Sequence, residues 1–246
     1  MNANMNAVKI AMWSGPRNIS TAMMYSFGNR PDCFAWDEPF YAFALHERGH
    51  DHPMRDEIIA AQESDWQKLV ATCTSNPANG ALVFYQKHMT HHMLPGFDKS
   101  FIHQLNNAFL IRKPERVLAS YAKKWHEVTL REIGFIEQLE IFDAVADKLG
   151  HAPPVIDSDD ILANPEAMLT KLCTSLGIAF DKAMLSWPKG PKSFDGVWAP
   201  HWYNAVWNST GFGAPADQES DDLTDALKRV ADEARPLYEK LKAFKI

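Results

Sequence analysis

Apolar and polar positions fall in blocks along this chain. Five short runs rich in apolar, β-branched and aromatic residues recur: VKIAMW (8–13), CFAWD (33–37), ALVFYQ (81–86), AFLIR (108–112) and PVID (154–157). Runs of this length bounded by turn residues read as strands, and the continuous apolar ones as strands covered on both faces. The stretches between them carry helical spacing. A helix is expected from about Ser20 to Gly28, stopped by Asn29-Arg30-Pro31; others span 39–48 and 54–75, the second closed by Asn76-Pro77. Pro114 opens a helix to about Trp125, a long helix covers 130–149, Pro165 opens one ending at Gly177, and an acidic-to-basic helix fills 220–245. Strands alternating with helices predict an α/β fold of three layers, with a mostly parallel sheet of about five strands and strand 8–13 at its centre. Neither a repeat nor a flexible linker divides the chain, so residues 1–246 are expected to form one domain.

In such sheets ligands sit beyond the carboxyl ends of the strands. Ser14–Thr21, Asp37-Glu38, Gln86–His92 and Arg112 all fall there. The first strand ends in a Gly15-Pro16-Arg17-Asn18 turn, and Ser20-Thr21 then open a helix. A helix N-terminus offers unpaired N–H groups and a positive dipole end, hydroxyls add donors, and the Arg17 fork suits a phosphate or sulfate. A plain corner with Ser20 as an N-cap has the same outline. The loop is not a Walker A motif: from Gly15 that pattern needs Gly at 20 and Lys at 21, where the chain has Ser20 and Thr21. AFLIRKPERVLASY repeats the logic, with Arg112 at a strand end and Ser120 on the helix that follows. The two could share one phosphate, or the arginine could cap a carboxylate.

Composition narrows the partners. Among 246 residues, 46% are hydrophobic and 23% charged, ordinary for a globular chain, and the net charge of −6 provides no basic field for nucleic acid or an anionic membrane. The opening MNANMN does not read as a signal peptide, and no apolar run approaches about 18 residues. Three cysteines, Cys33, Cys73 and Cys173, lack CxxC spacing and fit reduced thiols in a cytoplasm.

Four segments in order resemble the sulfotransferase superfamily, P-loop-related enzymes that use 3′-phosphoadenosine 5′-phosphosulfate. GPRNIST resembles the 5′-phosphosulfate loop, FLIRKPERVLASY the 3′-phosphate motif, QKHMTHHMLP the Lys-Thr-His-Leu-Pro region that supplies a base, and DSDDILANPEAMLTKLCTSLGIAF the stretch before the cofactor lid. The resemblance covers residues 8–180 and implies a P-loop-like α/β fold. It also implies a sulfuryl donor held by Gly15, Pro16, Arg17, Asn18, Ser20 and Thr21, with Arg112 and Ser120 on its 3′-phosphate. Two features depart from the pattern. Ile19 stands where the family loop has glycine, so its backbone is not free to take a positive φ. KGPKSFDGVWAPHW (189–202) only loosely resembles the Gly-x-x-Gly-x-Trp-Lys lid.

The expected reaction moves a sulfuryl group to a hydroxyl or amine of a small-molecule acceptor, with Arg17 neutralising the departing phosphate and no metal required. His88 is the favoured base because free histidine titrates near neutrality; Glu38, His91 and His92 are alternatives, and Asp37-Glu38 resembles the Glu-Glu pair of tyrosine-sulfating members. HxxHH and HxxxHxH lack acidic or cysteine partners at metal-site spacing. The aromatic run Trp187, Trp198, Trp202, Tyr203, Trp207 and Phe212 is suited to stacking adenine or walling an acceptor pocket. A P-loop kinase and a binding protein without catalysis are the competing readings. Neither nucleic acid nor membrane is expected as partner, and the acceptor and oligomeric state stay open.

Overall fold

Ile10 and Met12 pack into one hydrophobic cluster and Ala11 and Trp13 into another, so alternate residues of a single strand serve two cores. That strand, β1 (Val8–Ser14), is the centre of the sheet. The computed structural model describes residues 6–49, 52–122, 128–213 and 223–246. The other strands are β2 (Cys33–Asp37), β3 (Val83–Met89), β4 (Asn106–Ile111) and β5 (Val155–Asp157), in the order β2-β3-β1-β4-β5. Every pairing between them is parallel, with Trp13 beside His88 and Ser14 beside Leu110 in the registers. All five predicted strands are present and β1 is central.

Helices cover both faces. On the first lie α1 (Ser20–Gly28), α3 (Arg55–Ala61), α7 (Ser158–Ala163) and α8 (Pro165–Ser175), which bury Met23, Phe27, Ile58, Ile161, Leu169 and Leu172. On the second lie α4 (Trp66–Thr74), α5 (Pro114–Tyr121), α6 (Phe135–Leu149) and α11 (Asp225–Lys242). They bury Leu69, Leu118, Ile141, Ala234 and Leu241 there. The helix α2 (Tyr41–Arg48) sends Leu45 to one cluster and Phe43 to the other. Two short helices, α9 (Ala199–Trp202) and α10 (Asn204–Trp207), belong to the aromatic stretch.

Several boundaries differ from the sequence expectation. The helix expected over 54–75 is two, α3 and α4, because Asp65 caps the second through its bond from the Lys68 N–H. The helix expected over 130–149 begins at Phe135, after Gly134 takes a φ of 72°. The unpredicted α7 begins where β5 ends, its Asp157 N-cap accepting from the Asp159 N–H. The predicted helix ends near Trp125 and at 220–222 lie outside the described residues. The shift that matters most is in β3, which runs to Met89 instead of ending at Gln86.

Candidate active site

The carboxyl ends of β1, β2 and β3 open into a crevice, the place where ligands of such sheets sit. Pro16, Arg17, Ser20 and Thr21 form its floor, Glu38, Lys87, His91 and His92 one wall, and Tyr41, Tyr121, Trp202 and Tyr203 its aromatic boundary. A second cavity adjoins it, lined by Ile19, Ala22, Arg112, Val206 and Phe212. Arg17, Ser20, Thr21, Ser120, Trp202 and Tyr203 line both, so the two spaces meet at Arg17.

The loop between β1 and α1 is held under strain. Arg17 has a φ of 65° and Ile19 a φ of 59°, both in the left-handed region that L-residues avoid. The position thought closed to a positive φ adopts one, with isoleucine. Ile19, not Ser20, is the N-cap of α1; it supplies no side-chain bond, and the first turn contains no acid. The N-terminus of α1 therefore keeps its donors and dipole for another partner. Gly15 is required for a different reason. A Cβ there would lie 2.2 Å from the Ile133 carbonyl oxygen, so the turn before α6 closes directly on the loop. Thr90 ties the same turn to β3, donating to the Gly134 carbonyl at 2.8 Å.

Arg17 donates from Nε to the Ser120 hydroxyl at 2.9 Å, and Arg112 donates to the Arg17 carbonyl at 2.8 Å. The three residues form one cluster, whereas the sequence reading gave Arg112 and Ser120 an anion separate from that of the loop. Burial works against both guanidinium charges and lowers both pKa values. Among the described residues no carboxylate stands within ion-pair distance of either, whereas Arg116, Arg131 and Arg235 each have one. Two partly buried, unpaired cations at a helix N-terminus are the arrangement an anion completes. Asn18 lies elsewhere. It is buried, donates to the Leu110 carbonyl at 3.3 Å, and its own carbonyl accepts from Ser158, which ties the loop to β4 and α7. Neither Gly15 nor Asn18 lines either cavity.

The β3 side of the crevice is built by alternation along the strand. Val83 and Tyr85 enter one core, and Lys87 and Met89 continue that face into the crevice. His88 points the other way. It stacks on Trp13 at 4.4 Å and lies against Phe40, is 1% exposed, and meets Gln86 at 3.1 Å. Burial pushes its pKa down to about 3. The residue favoured as base thus does not share the crevice with Arg17, whereas Glu38 does. His91 and His92 line the crevice; burial, with Arg48 adding to it, lowers both, His91 to about 3. His92 also stacks on Tyr41 at 4.6 Å.

Glu38 has a φ of 42° and is 8% exposed. Lys87 donates to Glu38 Oε1 at 2.6 Å and to Asp37 Oδ1 at 3.0 Å. Burial raises the Glu38 carboxyl against the pull of Lys87; burial opposes the ammonium of Lys87, and the two carboxylates outweigh it, keeping its pKa raised. Lys87 and Tyr41 are crevice residues outside the sequence expectation, whereas Trp202 and Tyr203 come from the aromatic run expected to wall a pocket. The signal for Lys87 was the two-residue period from Tyr85, extended past the polar residues.

An α/β sheet whose carboxyl edge carries a strained anion-facing loop beside a polar crevice defines the class, a group-transfer domain. The chain belongs to the sulfotransferase family: residues 8–245 match the model described as "Sulfotransferase domain". That is a family of enzymes, the sulfotransferases. Over 206 residues the chain is 37% identical to the "Branched-chain-amino-acid aminotransferase-like protein 2" of Arabidopsis thaliana, covering 84% of this chain and 36% of that one. Protein 1 of the same name and plant is 38% identical over 207 residues, covering 84% and 37%. The chain spans little more than a third of the length of these curated relatives. Among solved structures, the fold is shared with the "Sulfotransferase Domain from the Curacin Biosynthetic Pathway", at a TM-score of 0.53 and 16% identity over 93% of this chain and 98% of that one. It is shared also with a sulfotransferase from Alicyclobacillus acidocaldarius, at a TM-score of 0.54 and 11% identity over 96% and 94%. Among the described residues no helix is long and apolar enough to cross a membrane.

Proposed function

We propose that this chain, acting as one catalytic domain, transfers a sulfuryl group from 3′-phosphoadenosine 5′-phosphosulfate to a hydroxyl or amine of a small-molecule acceptor. The observation that carries the reading is the pair of unpaired guanidiniums, Arg17 and Arg112, where two cavities meet. The donor supplies an activated sulfur–oxygen bond on a phosphate leaving group. Arg112, Ser120 and the N-terminus of α1 hold its phosphates, with Trp202 and Phe212 beside the nucleoside. Arg17 faces the bond that breaks and stabilises charge gathering on the departing phosphate. Glu38, not His88, takes the acceptor proton. Its raised pKa brings the carboxylate nearer the basicity the step needs, and it stands in the acceptor crevice. The bond from the acceptor to sulfur forms as the sulfur–phosphate oxygen bond breaks, and the proton goes to Glu38. The aminotransferase-like name belongs to much longer chains and is not transferred to this one.

Calorimetry with adenosine 3′,5′-bisphosphate and adenosine 5′-monophosphate tests the donor site. Arg112→Ala should weaken the bisphosphate by about ten- to a hundredfold, the loss of a charged hydrogen bond, and the monophosphate far less. Equal losses would remove Arg112 from the 3′-phosphate. Glu38→Gln should keep bisphosphate affinity and lose transfer of radiolabelled sulfate to every hydroxyl or amine acceptor that the wild type sulfates. Retained transfer would return the base to another residue.

A further inference from the structure

Beside the crevice, the buried polar atoms of β2, β3 and the aromatic stretch form a network in which the donors are fully used. An ammonium has three N–H donors, and Lys87 spends them on Asp37 Oδ1 at 3.0 Å, Glu38 Oε1 at 2.6 Å and the Tyr203 hydroxyl at 2.6 Å. The Tyr203 hydroxyl also accepts from Trp198 Nε1 at 3.0 Å, and its one proton goes to Asp37, whose Oδ2 lies 2.7 Å away. The same Oδ2 accepts from the Gly196 N–H at 3.1 Å. Asp37, Lys87 and Tyr203 are all buried. Glu38 Oε2 has no hydrogen-bond partner among the described residues, and Glu38 lines the crevice.

We propose that Asp37 and Tyr203 are a positioning pair: together they divide the hydrogen bonds of Lys87 and seat residues 196–207 over the crevice, leaving one Glu38 oxygen for the acceptor. The proposal rests on the reading of Glu38 as base. The physical reason is competition for one cation. A buried ammonium facing a single carboxylate pairs with it fully and makes it a poor base. Here Asp37 takes a share of the cation and adds its own negative charge beside Glu38, while Tyr203 occupies the third donor. The groups facing Glu38 are Asp37 on β2, Lys87 on β3, Tyr41 on α2, Tyr203 after α9, and Arg17, His52, His91 and His92 around the crevice. Burial keeps His91 and His92 neutral and raises Tyr41 and Tyr203, and the charges that act on Glu38 are those of Lys87 and Asp37.

The test follows Glu38 directly, without an acceptor. The protein is made with carbon-13-labelled glutamate, the Glu38 carboxyl signal is assigned by its loss in Glu38→Gln, and its titration is recorded. Asp37→Asn removes a neighbouring negative charge and gives Glu38 more of the cation, so Glu38 should titrate lower by about one pH unit. Tyr203→Phe should move it the same way by a smaller amount. In both variants amide exchange across 197–207 should quicken by about tenfold, equivalent to about 1.4 kcal/mol of lost seating. A role confined to packing would change stability and leave the Glu38 midpoint in place. An unchanged midpoint in both variants overturns the proposal, and if Asp37→Asn does not fold, Tyr203→Phe decides alone. Bisphosphate calorimetry on the wild type is run alongside: failure to bind counts against the donor reading and leaves the Glu38 result intact.

Discussion

Replacing Ile19 by glycine and, separately, by alanine isolates the strain in the loop ahead of α1. Ile19 sits at φ 59°, ψ 19°, with its half-buried side chain packed against the first core cluster. Both substitutions forfeit that packing, worth about 1–1.5 kcal/mol for a partly buried aliphatic chain, so the loss cancels when the two variants are compared. What remains is backbone. Alanine keeps a Cβ and pays roughly 1–2 kcal/mol to hold the left-handed conformation. Glycine holds it freely and loses about 0.5–1 kcal/mol through the greater freedom of its unfolded chain. The glycine variant should therefore be the more stable of the two by about 1 kcal/mol, or about 2–4 °C in melting temperature for a chain of this size. At an ordinary helical φ the order is reversed. Thermal and urea unfolding of the two proteins side by side reads the sign. An alanine variant as stable as the glycine one, or more so, would refute a strained residue 19.

Two further outcomes follow from residues around the crevice. Gly15→Ala places a methyl against the Ile133 carbonyl oxygen at 2.2 Å, and relief requires moving backbone; it should cost about 2 kcal/mol or more and lower the melting temperature by about 4 °C or more. An unchanged melting temperature would mean that the turn before α6 does not clamp the loop. For His88, burial lowers the folded pKa to about 3 while the unfolded value stays near 6.5, so the unfolded chain binds a proton that the folded one refuses. As pH falls through that window the wild type should lose stability relative to His88→Asn at about 1.4 kcal/mol per unit, measured by urea unfolding, and a parallel pH dependence would count against a buried neutral imidazole.

The sheet was legible because its signals are local: each strand is an apolar run between turn residues, and α4, α5, α7, α8 and α11 start on a proline or a capping side chain. The site was legible only where its chemistry sits in one segment. Pro16, Arg17, Ser20 and Thr21 were read from seven consecutive residues and line the crevice together. His88 failed as a crevice residue for a reason of parity. Ending β3 at Gln86 left Lys87 and His88 in a loop where either could face the ligand. Carrying the strand to Met89 fixes them on opposite faces. Nothing local announces that extension. A lysine inside a buried strand is sustained by Asp37 and Glu38 from the neighbouring strand and by Tyr203 from far along the chain. The aromatic stretch is a similar case: its density was visible, while its place as a wall common to both cavities depended on long-range contacts.

The unfavourable features of this fold are not scattered. Among the described residues four without glycine's freedom take a positive φ, and three of them, Arg17, Ile19 and Glu38, belong to the two adjoining cavities. The buried lysine lies at the same edge, as do Arg17 and Arg112, which have no carboxylate partner among the described residues. Each is costly alone: about 1–3 kcal/mol for a strained backbone, and more for a buried charge without a partner. A fold selected only for stability would have neither a strained backbone at residue 19 nor an arginine at 17 without an acid. Retaining both is intelligible if the loop must present its N–H groups and one cation already aimed, so that little reorganisation remains when an anion arrives. Lys87 completes the argument from the other side. Its charge is more than offset by two carboxylates, so the positive charge left to the crevice is that of Arg17, and the polarity of the site runs from Arg17 toward Glu38. In the transfer proposed above, that is the direction an acceptor proton and a departing phosphate require, with Glu38 as base on one side of the sulfur and Arg17 on the other.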